Sequence, residues 1–206
     1  MISLNEFLVN NKINRKIDNY SYQPTSKIEL IKNIEELINN GEYDLNCIDT
    51  SKITDMSNLF FNTDIINADI ANINFDVSKW NVSNVKDMSY MFCQCVKFNC
   101  DLSNWDVSNV KDMSCMFSDC QYFNKPLNDW DVSNVKDMSG MFSFCHKFNQ
   151  PLNNWDVSNV ETTDNMFFSC KKFNQSLDVW NVSNVCDMSN MFRKCTSLKN
   201  IPKWYE

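Results

Sequence analysis

The chain predicts an α/β repeat solenoid: coils of about 25 residues, each with short strand segments and a short helix, behind a helical N-terminal cap. Three observations predict this. Trp80, Trp105, Trp130, Trp155 and Trp180 recur every 25 residues without drift. Cys95, Cys120, Cys145, Cys170 and Cys195 keep the same period. The stretch before the first full coil carries the capping residues and apolar spacing of an amphipathic helix. A fixed period of this size marks units that cannot bury an apolar face alone and do so by stacking.

Residues 1–47 form the N-terminal helical cap. Ser3-Leu4-Asn5-Glu6 is a capping box and predicts a short first helix. Ser26-Lys27-Ile28-Glu29 is another and predicts a helix over about 27–39, with Ile28, Ile31, Ile34, Leu37 and Ile38 at helical spacing. Asn39-Asn40-Gly41 ends it. The solenoid occupies 48–206. Its divergent first coil, 48–79, aligns Ile48–Met56 with Trp80–Met88 and is seven residues longer than the others, the surplus falling as a loop within about Phe61–Asn72. Regular coils fill 80–195, and 196–206 is a C-terminal stop, in which Trp204 follows Trp180 by 24 residues and Pro202 and Glu206 stand near the end.

Within a coil such as 105–129 the constant apolar positions are Trp105, Val107, Val110, Met113, Met116, Phe117, Cys120, Phe123 and Leu127. Met113, Met116, Phe117 and Cys120 share one helical face, which predicts a helix of about two turns. Ser114 and its equivalents Ser89, Ser139, Asp164 and Ser189 are suitable N-caps. Extended pieces are expected near Val110–Met113 and Phe123–Trp130. Asn84, Asn109, Asn134, Asn159 and Asn184 suit a tight turn in the left-handed conformation. Stacking turns each position into a column, with tryptophan rings about 4.8 Å apart. Asn99, Asn124, Asn149 and Asn174 make a column able to bond from coil to coil. The cysteine column reads as small buried side chains. Neighbouring coils lie close enough for disulfides, and a reducing compartment favours free thiols.

Composition excludes several classes. Nineteen Lys plus Arg against 26 Asp plus Glu give a net charge of −7, which argues against nucleic acid as the partner. Only Gly41 and Gly140 occur, so no glycine-rich phosphate loop can be drawn. The start lacks the basic and apolar regions of a signal peptide, and no run of 18 apolar residues suggests membrane insertion. The expected location is cytoplasmic, or a host cell or virion if the source is viral.

The phrase Phe148-Asn-Gln-Pro-Leu-Asn-Asn-Trp-Asp-Val-Ser-Asn-Val160, with Met-Ser-x-Met-Phe-x-x-Cys in neighbouring coils, resembles the BspA-like repeat family. This unit is leucine-rich-repeat-like and occurs in bacterial surface proteins, large DNA viruses and protists. The likeness covers about residues 48–204, and 22–47 is similar to the segment that usually precedes such repeats. It implies a right-handed solenoid used for adhesion or protein–protein contact, without catalytic residues.

Cys93, Cys95, Cys100, Cys115 and Cys120 could suggest zinc, but Cys95 and Cys120 are core positions while Cys93, Cys100 and Cys115 fall at variable ones read as exposed. His146, the single histidine, adjoins the packing residue Cys145 and lacks an oriented nucleophile. The columns Asp87, Asp112, Asp137, Asp187 and Asp106, Asp131, Asp156 could suggest calcium, but turn bonding explains the Asp and Asn interchange more simply. No catalytic, cofactor or metal residue is therefore assigned.

A solenoid keeps its core constant and varies its surface. Tyr122, Phe144 and Phe168 are aromatic where neighbouring coils carry Lys97, Asp119 or Ser143, and they are the candidate interface. The expected function is a non-catalytic protein-interaction scaffold. The alternative is a structural or adhesive component, of a virion or cell surface, acting by multivalent display.

Overall fold

The computed structural model describes residues 20–61 and 70–205. The helix expected after Ser3 lies outside them. Helix α1 spans Lys27–Asn39. Ser26 is extended, and its hydroxyl accepts from the Glu29 N–H at 3.3 Å. The Glu29 carboxylate reaches one residue further back than a capping box requires, accepting from the Thr25 N–H at 2.7 Å and its hydroxyl at 2.9 Å. Leu30, Ile34, Leu37 and Ile38 are buried, whereas Ile28 faces outward. Gly41 then takes φ 76, as a helix-terminating glycine should. Lys27 pins α1 to the first repeat unit, its Nζ donating to Asp55 at 3.1 Å and Ser57 at 2.7 Å. Tyr22 adds a bridge to Ile48.

Beyond α1 the backbone builds a stack of repeat units. The N–H groups of Met113, Cys115, Phe117 and Asp119 donate to the carbonyls of Asp137, Ser139, Met141 and Ser143 in the next unit, at 3.0, 2.8, 2.9 and 2.7 Å. Between them, Met116, Ser118 and Cys120 donate to the residue three positions earlier, at 3.2, 3.0 and 2.9 Å. Alternate N–H groups thus serve the next unit and the local turn. An α-helix needs each successive N–H for the carbonyl four residues back. The two-turn helix expected in each coil is therefore replaced by consecutive turns. Its apolar spacing survives, because Met113, Met116, Phe117 and Cys120 all face the core.

The turns require left-handed residues at two columns. Tyr90, Cys115, Asn165 and Asn190 have φ between 52 and 57, and Gln94, Asp119, Phe144, Ser169 and Lys194 between 59 and 65. Side chains there cost about 1–2 kcal/mol each, offset by the bonds between units. Gly140 is the sole glycine in these columns, at φ 60, and a Cβ would lie 2.8 Å from Cys115 Sγ. Gly140→Ala is expected to destabilise by about 1–2 kcal/mol in urea unfolding. Pairing it with Cys115→Ala should recover part of that loss; no recovery would leave the backbone as its entire cause.

Strand content is also less than expected. The described repeats contain single-residue parallel bridges, in one column through Asp55, Asp87, Asp112, Asp137, Thr162 and Asp187. The serines expected as helix caps are acceptor-seeking: Ser114 N–H donates to Asp112 Oδ1 at 2.8 Å and Ser139 N–H to Asp137 at 2.7 Å. In the 162–164 unit the partners exchange, and Thr162 hydroxyl donates to Asp164 at 2.9 Å. The second acidic column closes a similar turn earlier in each unit, with Asp106, Asp131 and Asp156 each accepting from the serine two residues on.

Side chains hold the stack in columns. Each Trp indole N–H reaches the preceding unit: Trp105 to Val77, Trp130 to Leu102, Trp155 to Leu127 and Trp180 to Leu152, at 2.8–3.2 Å. Trp105–Trp130 and Trp155–Trp180 centroids lie 6.5 and 6.3 Å apart with planes within 7°. That is wider than the expected strand spacing, consistent with parallel-displaced rings. A second column, Phe92, Phe117, Phe142 and Phe167, stacks at 5.6–5.7 Å. Asn84, Asn109, Asn134, Asn159 and Asn184 are not left-handed; their amides donate to a serine carbonyl of the preceding unit at 2.6–2.8 Å. The Asn99 column joins units similarly: Asn124 N–H donates to Asn99 Oδ1 at 3.0 Å and Asn149 to Asn124 at 2.9 Å.

These rungs locate the irregularities. Cys95 bonds Phe60, 35 residues earlier, but Lys97 bonds Ala71, 26 earlier. The seven-residue surplus therefore falls between Phe60 and Ala71, where Ile70–Asn72 form a 3-10 turn. At the other end Trp204 still joins the column, donating to Leu177 at 2.9 Å and stacking on Trp180 at 6.3 Å. Buried Pro202 takes the leucine position, so the missing residue falls between it and Trp204.

Candidate interaction surface

Five ladder cysteines organise one turn of each unit. Cys120, Cys145, Cys170 and Cys195 donate to Phe92, Phe117, Phe142 and Phe167 carbonyls at 2.8–3.0 Å, and these four are thiols outside any disulfide. Burial pushes the Cys95, Cys120, Cys145 and Cys170 thiols well above their ordinary range. Cys93 and Cys100, read from sequence as exposed, are buried, and burial raises each to about 12. Cys115 is half-buried and likewise raised by burial. Such thiols are packing groups in their neutral form rather than nucleophiles.

With the cysteine pointing inward, some residues of the same turn reach the surface. Tyr122 is 47% and Phe144 41% exposed; Phe168 is half-buried. The structure brings two of the three together: Phe144 and Phe168 meet edge to face at 5.2 Å. Tyr122 joins neither ring; Lys97 Nζ lies 4.5 Å from its centroid. Lys194 Nζ similarly lies 5.3 Å over Phe168. His146 borders the pair, 6.5 Å from Phe144, and its pKa is lowered by partial burial and then by Lys171, against Asp119. Cys145 points to the Phe117 carbonyl, so these neighbours in sequence serve opposite sides of the turn. Sequence reading missed the two lysines over the rings, although Lys97 lies exactly one period before Tyr122.

Regular rungs, constant buried columns and variable outward positions define a repeat protein. The chain belongs to the family of Mycoplasma proteins of unknown function, DUF285, whose model matches residues 4–75, 28–139 and 125–205. Neither a curated protein nor a solved structure matches the chain significantly. No helix among the described residues is long and apolar enough to cross a membrane.

Proposed function

We propose that the protein is a non-catalytic protein-interaction scaffold, built as a leucine-rich-repeat-like solenoid of the BspA-like type. The observation that carries this reading is the outward Phe144–Phe168 pair on an otherwise regular stack. Aromatic rings left at a surface are characteristic anchors of protein contacts. The conserved-period residues are occupied in stacking, which leaves the variable turn to choose a partner. Capture from the source cell's extract tests the proposal. A partner held by the wild-type chain and lost from the Tyr122→Ser, Phe144→Ser, Phe168→Ser variant supports it. Failure to capture a partner, or equal retention by both chains, rejects the aromatic surface as the interface.

A further inference from the structure

The turn that carries these aromatics also gathers positive charge. Its five copies are residues 93–97, 118–122, 143–147, 168–172 and 193–197. They contain six cations, Lys97, Lys147, Lys171, Lys172, Arg193 and Lys194, and one acid, Asp119. The whole chain has net charge −7, so the remainder carries −12. All six cations are exposed, and none forms an ion pair among the described residues. Backbone bonds stack the turns directly: Asp119 N–H meets Ser143, Phe144 meets Phe168 and Ser169 meets Arg193, while Tyr122 meets Val96 and Lys147 meets Gln121. The cations and aromatics therefore form one edge.

The basic row on Lys86, Lys111 and Lys136 differs. Lys136 pairs with Glu161 at 3.1 Å, and Lys111 donates to Asn134 at 3.0 Å. Neither row member supports an aromatic surface of the kind made by Phe144 and Phe168.

We propose that the cationic edge docks an acidic, extended segment of a partner protein, with apolar side chains on Phe144–Phe168 and carboxylates on the surrounding lysines. This rests on the scaffold reading and specifies its partner chemistry. Unpaired exposed cations attract such a segment at long range, and the rings supply contacts that salt does not screen. The acidic remainder disfavours a long nucleic-acid polyanion. A short segment can stay within the edge.

The test is fluorescence-anisotropy titration of the full chain with a labelled 12-residue peptide of alternating Glu and Leu, at about 50 mM salt, where ionic contacts remain strong. Saturable binding is expected, weakened at least about tenfold by Lys171→Glu plus Lys172→Glu and less than about twofold by Lys86→Glu plus Lys136→Glu, as a local charge contact requires. No saturable binding, equal loss from both double variants, or tighter binding of a 12-nucleotide oligothymidine would overturn the proposal. Cellular capture separates this result from the scaffold test. A partner lost on aromatic substitution but retained by Lys171→Glu plus Lys172→Glu preserves the scaffold and rejects the acidic-segment inference. No captured partner rejects the scaffold reading together with its aromatic surface.

Discussion

Raising the pH above 9 is expected to unfold the protein over a narrow interval. The cause is the cysteine column. Cys95, Cys120, Cys145 and Cys170 are held protonated by burial, with pKa values raised above the usual thiol range. In the unfolded chain they ionise near the ordinary value of about 8.5. Above that pH the unfolded chain has released protons that the folded chain retains, so stability falls as pH rises. Each thiol contributes a slope of about 1.4 kcal/mol per pH unit and these four together about 5–6, and Cys93, Cys100, Cys115 and Cys195, also raised by burial, steepen it further. A typical domain has about 5–15 kcal/mol in total. Urea unfolding at pH 8, 9 and 10 measures the slope. Cys120→Ala plus Cys145→Ala should lower it by about 2–3 kcal/mol per pH unit, because each replacement removes one linked proton. A flat stability profile between pH 9 and 10 would show that these thiols are not held neutral by the fold.

Phe142→Ala is expected to destabilise the chain by about 3–5 kcal/mol, the usual cost of opening a large cavity in a core. Phe142 is fully buried and touches four rings: Phe148 at 4.2 Å, Phe167 at 5.6 Å, Phe117 at 5.7 Å and Trp155 at 6.2 Å. Phe144, two residues on, provides the contrast. The residue is 41% exposed, and Phe144→Ala should change stability by less than about 1 kcal/mol. Urea denaturation at neutral pH measures both. Similar losses at the two positions would mean that the surface pair carries structural weight and is a poor candidate for a partner contact.

The columns were legible because each unit repeats its neighbours. Trp130 and Cys145 show themselves by period alone, and Ser26 with Asn40-Gly41 brackets α1 within the residues described. Local conformation was less legible. Met113, Met116, Phe117 and Cys120 have helical spacing, but half of their segment's N–H groups bond the following unit. Apolar periodicity reports which side chains face inward, not where the backbone donors go. The asparagines at 84, 109 and 134 were misread for the same reason: their amides find serine carbonyls one unit back, a partner that a single unit cannot reveal. Of the surface, Phe144 and Phe168 were recognisable as variable aromatics, while their contact depended on the register between units.

Because most core residues meet their own counterparts above and below, the stack is tolerant of duplication. A whole additional unit finds the same indole acceptor, the same thiol acceptor and the same aromatic neighbours as the unit it copies. Loss of one residue breaks that match, yet between Pro202 and Trp204 the chain omits one and still returns Trp204 to its column. Length can therefore change in whole units without redesign of the interior, while each added unit presents a fresh outward turn on which recognition can diverge.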